Sequence, residues 1–189
     1  MLKRTVSGLV LTTLLIGMLI SAYSLQIVKS HTKIRTNIDP ELKNNSFISS
    51  YENVTTHEGD LIIDGTQTFV IENCTYIQTG NIIIKDHAKL VIRNAEVFLN
   101  VSTDLEYYVH IEDYASVLAE HSIVDTFHGI LWECRGNSHV LFNSTDMLCS
   151  YPGDIAIDAY DNSKLSFINS QANEVGSFDE DGNSEVNIE

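Results

Sequence analysis

Basic residues are scarce in this sequence. Its 189 residues contain 11 lysines and arginines against 26 aspartates and glutamates, which gives a formal net charge of −15 at pH 7 and a pI near 4.6. Nucleic acids and anionic lipid surfaces are bound by basic protein faces. The composition therefore argues against both as partners.

Motifs for metal binding are also missing. The three cysteines show no CxxC or Cys/His spacing of a zinc site, and the seven histidines form no HxH or HExxH motif. Three is an odd number of cysteines for an exported chain, and a bond between Cys134 and Cys149 stays open. No cofactor is predicted, apart from the calcium alternative given below.

The first thirty residues have the composition of an export signal. Lys3 and Arg4 precede an apolar run over residues 6–20, which is the pattern of a signal peptide. If it is not cleaved, the run is long enough to span a bilayer. Residues 1–30 are therefore predicted to be a signal peptide or a membrane anchor, with the rest of the chain secreted or at the cell surface. No other membrane contact is predicted.

The remainder of the chain contains a degenerate repeat. Each unit starts at a reference residue that is followed by apolar residues two and four positions later, as Ala88 is followed by Leu90 and Ile92. The reference residues are Gln67, Ala88, Ala115, Ser138, Ser163 and Ser184. A repeat of this length predicts a solenoid. Apolar residues at alternate positions predict that its units are strands rather than helices.

Two segments, AKLVIRNAEV and SKLSFINSQA, resemble the "a.L.I.Ns.v" coil pattern of right-handed parallel β-helix proteins, and QTFVIENCTY and ASVLAEHSIV fit it more loosely. The resemblance covers residues 59–189. It implies an all-β solenoid of about six short coils, each with three strands, stacked about 4.8 Å apart. The hexapeptide rhythm of left-handed β-helices is absent, and an antiparallel β-sandwich is the alternative fold.

The segments around the solenoid complete the predicted organisation. Residues 31–58 are polar and read as a linker and an N-terminal cap. The segment QIVKS resembles the end of signal peptides in archaeal secreted proteins. Because the sequence stops partway round a coil, an exposed last edge is expected, and end-to-end self-association is one way to cover it.

One column of polar residues is predicted to form an inward asparagine ladder. Six positions after the reference residues come Asn73, Asn94, His121, Ser144 and Asn169. The resemblance to the β-helix family implies that such side chains point inward. Buried amides must be paired, and amides stacked on successive coils satisfy one another.

A second column is acidic. Two or three positions before the reference residues come Asp64, Asp86, Asp113, Asp161 and Asp181. Stacked carboxylates are ligands for calcium, but aspartate is also a common turn residue whose side chain bonds its own backbone. The dense GGxGxD calcium pattern is absent, which favours the turn explanation.

Five asparagines stand in N-x-S/T sequons and are glycosylation acceptors in an exported protein if they are exposed. They are Asn44, Asn53, Asn73, Asn100 and Asn143. Because Asn73 belongs to the predicted inward ladder, it is expected to be spared. The other four remain candidates.

The outward polar residues form no recognised catalytic set. Glu112 and Glu133 flank the inward positions Ile111 and Cys134 and are predicted to share a sheet face, where two opposed carboxylates are what a glycoside hydrolase requires. Carboxylates on neighbouring coils are usually ordinary surface residues, so no catalytic residue is assigned.

We therefore predict a non-catalytic module of the cell exterior that presents a β-helix face to glycans or to surface proteins. A polysaccharide lyase or glycoside hydrolase is the alternative function. Tyr107, Tyr108 and Tyr114 are the aromatic residues expected to touch a bound sugar, whereas Trp132 is expected to face the core.

Overall fold

The structure is a computed structural model that describes residues 53–150, 154–173 and 175–189. These residues form 18 strands and no helix. In chain order the strands are β1 (Val54–Glu58), β2 (Leu61–Ile63), β3 (Thr68–Glu72), β4 (Thr75–Thr79), β5 (Ile82–Ile84), β6 (Lys89–Arg93), β7 (Glu96–Leu99), β8 (Tyr108–Ile111), β9 (Ser116–Glu120), β10 (Ile123–Thr126), β11 (Ile130–Cys134), β12 (His139–Asn143), β13 (Asp146–Cys149), β14 (Ile155–Ala159), β15 (Lys164–Ile168), β16 (Gln171–Ala172), β17 (Val175–Glu180) and β18 (Glu185–Ile188).

The strands form three parallel sheets because the chain returns to the same sheet with every third strand. Sheet A has the order β1-β4-β7-β10-β13-β16, sheet B the order β2-β5-β8-β11-β14-β17, and sheet C the order β3-β6-β9-β12-β15-β18. Partners lie one coil apart, as Val140 pairs with Leu165. The predicted parallel β-solenoid of about six coils is confirmed, and the parallel pairing excludes the antiparallel sandwich.

We call the outward sides of the sheets faces A, B and C, and the turns between them the A–B, B–C and C–A corners. The core lies between the three sheets, where inward side chains of successive coils stack in columns. One column is Ile63, Ile84, Ile111, Cys134 and Ala159, each no more than 2% exposed. Trp132 faces this core, as predicted, and stacks edge-on against Phe142.

None of the three cysteines, all in the described part of the chain, forms a disulfide. Cys134 and Cys149 are buried and Cys74 is half-buried. Burial raises the pKa of the Cys134 thiol to about 12, so this side chain packs as a small apolar group. The bond between Cys134 and Cys149 that the sequence left open is not formed.

Every B–C corner contains one residue in the left-handed region, with φ between 61° and 77°. These residues are Gly65, Asp86, Asp113, Gly136, Asp161 and Gly182. Only glycine, and to a lesser extent Asp and Asn, adopts this conformation at low cost. The geometry of the corner therefore explains why this column contains only Gly and Asp.

The aspartates of this corner bond the neighbouring coil. The Asp86 carboxylate accepts the backbone N–H of Gly65 at 2.9 Å, and the Asp161 carboxylate accepts that of Gly136 at 3.0 Å. Asp113 accepts the N–H of Asp86 in the same way at 3.2 Å. The expectation that these side chains bond their own backbone is wrong for all three, because each reaches across to the previous coil.

The predicted inward ladder is wrong in its orientation. Its five residues do stack at the C–A corner, but all have positive φ between 44° and 52°. Asn73, Asn94, His121 and Asn169 are exposed, and Ser144 is half-buried. The left-handed backbone turns each of these side chains away from the core, so strict alternation fails at this one position in five coils.

A ladder of hydroxyls lies one residue later, on the inner side of the same corner. The Ser122 hydroxyl accepts the N–H of Ala95 at 3.2 Å and donates to the carbonyl of Glu120 at 2.7 Å. Thr145 and Ser170 repeat this arrangement in the next two coils. Hydroxyls, rather than amides, therefore satisfy the buried backbone groups of this turn.

The ends of the described region modify the predicted organisation. Strand β1 lies within the range predicted as a cap, yet it pairs with β4 as a strand of sheet A. Residues 101–106 lie in the loop that joins β7 to β8, and residues 102–106 are exposed. The predicted signal or anchor (residues 1–30) lies outside the described residues. Within them, no helix has the length and hydropathy of a membrane span.

Candidate functional site

The parallel register of sheet B aligns polar side chains on face B. On β8, Val109 and Ile111 point inward and are at most 1% exposed, so His110 between them points outward. His110 pairs with Glu133 on β11, which pairs in turn with Asp158 on β14. Three consecutive coils thus place an imidazole and two carboxylates in one row.

His110 lies between two carboxylates. Its Nδ1 is 2.6 Å from Oε2 of Glu133, and its Nε2 is 3.2 Å from Oε2 of Glu112. Ionised carboxylates only accept hydrogen bonds. Each contact is therefore a hydrogen bond when the ring nitrogen that it involves carries a proton, and the two contacts together hold the imidazole between the carboxylates.

Arg135 extends this arrangement along the corner. Its Nε donates to Oε1 of Glu133 at 2.8 Å, and its guanidinium lies 4.9 Å from the ring centre of Tyr160. The Tyr160 hydroxyl donates to Asp158 at 3.3 Å. Glu133 therefore bonds Arg135 through one carboxylate oxygen and His110 through the other.

The electrostatics of Glu133 follow from these contacts. Its side chain is 18% exposed, and this burial pushes its pKa up. The hydrogen bonds and positive charges of Arg135 and His110 outweigh the burial and bring the pKa below its usual value. Glu133 is therefore a carboxylate at neutral pH, fixed in orientation by its contacts with Arg135 and His110.

Tyr108 borders the row on the side of the A–B corner. It is 39% exposed, and its ring meets that of His110 edge-on at 6.4 Å between centroids. Its backbone N–H donates to the side chain of Asn81 at 3.0 Å, which fixes the start of β8. We call the connected set the face-B network; it consists of Tyr108, His110, Glu112, Glu133, Arg135, Asp158 and Tyr160.

The sequence found part of this network. It predicted that Glu112 and Glu133 share a face, and the structure places both against His110. It missed the roles of His110 and Arg135. The repeat contained a signal for both. His110 and Arg135 each lie at the same distance from their own reference residue as the network residue that neighbours them in the next coil.

The other candidate residues are dispersed. Asn53 and Asn100 are exposed, and the Asn100 amide donates to the Thr79 hydroxyl at 3.1 Å. Asn143 is half-buried at the end of β12, and Asn44 lies outside the described residues. The predicted acidic column is split over two columns, and the part of the chain that the structure describes contains no group of three or more His, Cys, Asp or Glu placed to hold a metal.

A shallow cleft of about 320 Å³ lies at the C–A corner. It is lined by Ala95, Glu96, His121, Ser122, Ile123, Ser144 and Asp146. Glu96 is 7% exposed and accepts the Thr75 hydroxyl at 3.3 Å. The cleft has fewer mutually bonded polar groups than the face-B network, which is the better defined of the two sites.

The fold and the network define the class of the protein as a parallel β-solenoid with a polar, hydrogen-bonded face. Comparison with protein families, with characterised proteins and with solved structures gave no match to any of them.

Proposed function

We propose that this protein is a non-catalytic binding module of the cell exterior and that face B binds an uncharged glycan. The face-B network carries the proposal. Planar polar side chains of three consecutive coils hold one another in place there on a parallel sheet. Such a surface suits an extended polymer that runs along the solenoid axis.

The chemistry of the network supports a sugar ligand. Sugar hydroxyls are recognised by polar groups whose position is fixed before binding, since ordering them costs affinity. Glu133 and Arg135 already restrain each other by hydrogen bonds. Tyr108 and Tyr160 add aromatic surface with a polar end, which suits contact with the apolar faces of sugar rings.

The charge balance supports an uncharged ligand. The chain carries a net charge of −15, which repels polyanions. The guanidinium of Arg135 is already engaged, since it bonds Glu133. It is not left as an isolated positive charge that would capture a uronate or a sulfate.

The position of His110 favours binding over hydrolysis. A glycoside hydrolase keeps the gap between its two carboxylates open for the sugar and for water. Here the imidazole of His110 lies between Glu112 and Glu133 and contacts both. A polysaccharide-degrading enzyme of β-helix type is therefore the less favoured of the two candidate functions.

The remaining parts of the proposal follow from the sequence. We place the module among secreted, archaeal-type surface proteins of the right-handed β-helix family. Residues 1–30 are its signal peptide or its membrane anchor. Surface proteins are further partners, and a second copy stacked end to end would cover exposed strand edges.

The test is a binding screen with the full chain on arrays of neutral and acidic polysaccharides, followed by titration calorimetry of each ligand found. We expect neutral polysaccharides to bind and acidic ones not to bind. The same mixtures are then assayed for new reducing ends. Binding of acidic polysaccharides alone, or release of reducing ends, contradicts the proposal, and the latter supports the enzyme.

A further inference from the structure

The sequon at Asn73 has a different environment from the one that the sequence predicted. Asn73 occupies the C–A corner with φ 52° and is exposed. Its backbone N–H donates to the carbonyl of Arg93 at 3.1 Å, which fixes the corner. Among the described residues, nothing hydrogen-bonds its side-chain amide. The amide therefore points into open space and is available to carry a substituent.

We propose that Asn73 is an N-glycosylation site and that the C–A corner is the glycosylated edge of the solenoid. This inference rests on the export that the proposed function includes. The amide nitrogen of Asn73 attacks the anomeric carbon of an oligosaccharide linked to a lipid diphosphate. The N–C bond forms, the C–O bond to the diphosphate breaks, the lipid diphosphate leaves, and one amide proton passes to a base of the transferase.

Two of the other described sequons support this edge, whereas the exposed Asn100 follows β7 at the A–B corner. Asn53 lies beside Asn73 at the same corner, where its carbonyl accepts the N–H of Thr75 at 2.9 Å. Asn143 ends β12 directly before the corner residue Ser144. The C–A corner is the one corner that does not border face B. Glycans placed there leave the face-B network uncovered.

The timing of the modification follows from Thr75. Its hydroxyl completes the sequon, yet in the fold Thr75 is 8% exposed and donates to Glu96 at 3.3 Å. A transferase must reach this hydroxyl as well as the amide. The folded protein buries the Thr75 hydroxyl and exposes the Asn73 amide. The glycan is therefore attached before β4 pairs with β7, and the finished fold then tolerates it.

The test expresses the full chain with its own N-terminal segment in a eukaryotic secretory host. Mass spectrometry of glycopeptides from the secreted protein is expected to show glycan on Asn73. Asn73→Asp removes the acceptor and keeps a residue that tolerates positive φ, so it is expected to lose that glycopeptide and still be secreted.

A matched control creates a sequon at the same corner. Gln171→Thr completes an N-S-T sequon at Asn169, which is exposed with φ 48°, and it is expected to add one glycan. A secreted protein with Asn53 occupied and Asn73 bare overturns the inference and leaves export standing. A chain that stays in the cytosol without glycan contradicts both. Modification of Asn73 in purified folded protein contradicts the proposed timing.

Discussion

At the scale of single residues, each column of stacked positions is occupied mainly by one kind of side chain. A few residues differ from the rest of their column. The first inward position after the B–C corner is occupied by Ala88 and Ala115 and then by Ser138 and Ser163, all 0% exposed. The hydroxyls of both serines are buried without a hydrogen-bond partner. Burying an unpaired hydroxyl costs free energy.

Ser138→Ala is therefore expected to raise the free energy of unfolding by about 1 kcal/mol. Alanine already fits the same position in two other coils, so no cavity or clash is introduced. Urea denaturation of the variant and the wild type measures the difference. Ser166→Ala, a half-buried outward serine on β15, is the control and is expected to change little. A loss of stability in Ser138→Ala would mean that its hydroxyl has a partner.

Asp125 is a second departure, on face A. It is 1% exposed, and burial raises its pKa to about 6, although the Ser150 hydroxyl donates to both carboxylate oxygens. Its folded pKa exceeds the usual value of 3.8. The folded state therefore binds the proton more tightly, and this residue's contribution to stability falls as the pH rises from about 4 to 6.

Asp125→Asn is expected to abolish this loss of stability with rising pH. The variant should match the wild type near pH 4 and exceed it at pH 7 by about 3 kcal/mol. Denaturant unfolding of both proteins at the two pH values gives the difference. The same gap at both pH values would show that the charge of Asp125 is not the cause.

At the scale of elements, alternation along the strands was predicted correctly and the corners were not. The sequence placed Ile111 and Cys134 inward because the strand period of two is unambiguous there. It placed Asn94 inward by resemblance, whereas a left-handed φ of 44° turns this side chain out. A backbone dihedral is not visible in an apolar pattern, so this error recurs in five coils.

The hydroxyl ladder supplies the test at this scale. Thr145→Val keeps the shape of a fully buried side chain but leaves the N–H of Ser122 without its acceptor. We expect a loss of about 1–3 kcal/mol in unfolding free energy. Asn94→Asp at the exposed neighbouring column is the comparison and is expected to change stability by less than about 0.5 kcal/mol. A larger loss of unfolding free energy in Asn94→Asp than in Thr145→Val would contradict this account and support the inward amide ladder.

At the scale of the whole molecule, stacking turns a weak sequence repeat into a continuous surface. His110, Glu133 and Asp158 are far apart in the chain, and each alone is an ordinary polar residue. Each lies five positions before its own reference residue, so the repeat already contains the register that brings them together. The fold was therefore predictable from the repeat. The side-chain contacts of the face-B network were not, because an alternating pattern does not show which outward residues bond one another.

The most direct test of whether face B binds an uncharged glycan compares two arginines. Arg135 bonds Glu133 on face B, and Arg93 bonds Glu120 in a similar pair on face C. Calorimetric titration with the polysaccharide found in the screen should give a Kd about tenfold weaker or worse for Arg135→Ala. Arg93→Ala should bind like the wild type, with both variants folded by circular dichroism. Equal losses, or a loss in Arg93→Ala alone, would contradict the assignment of binding to face B.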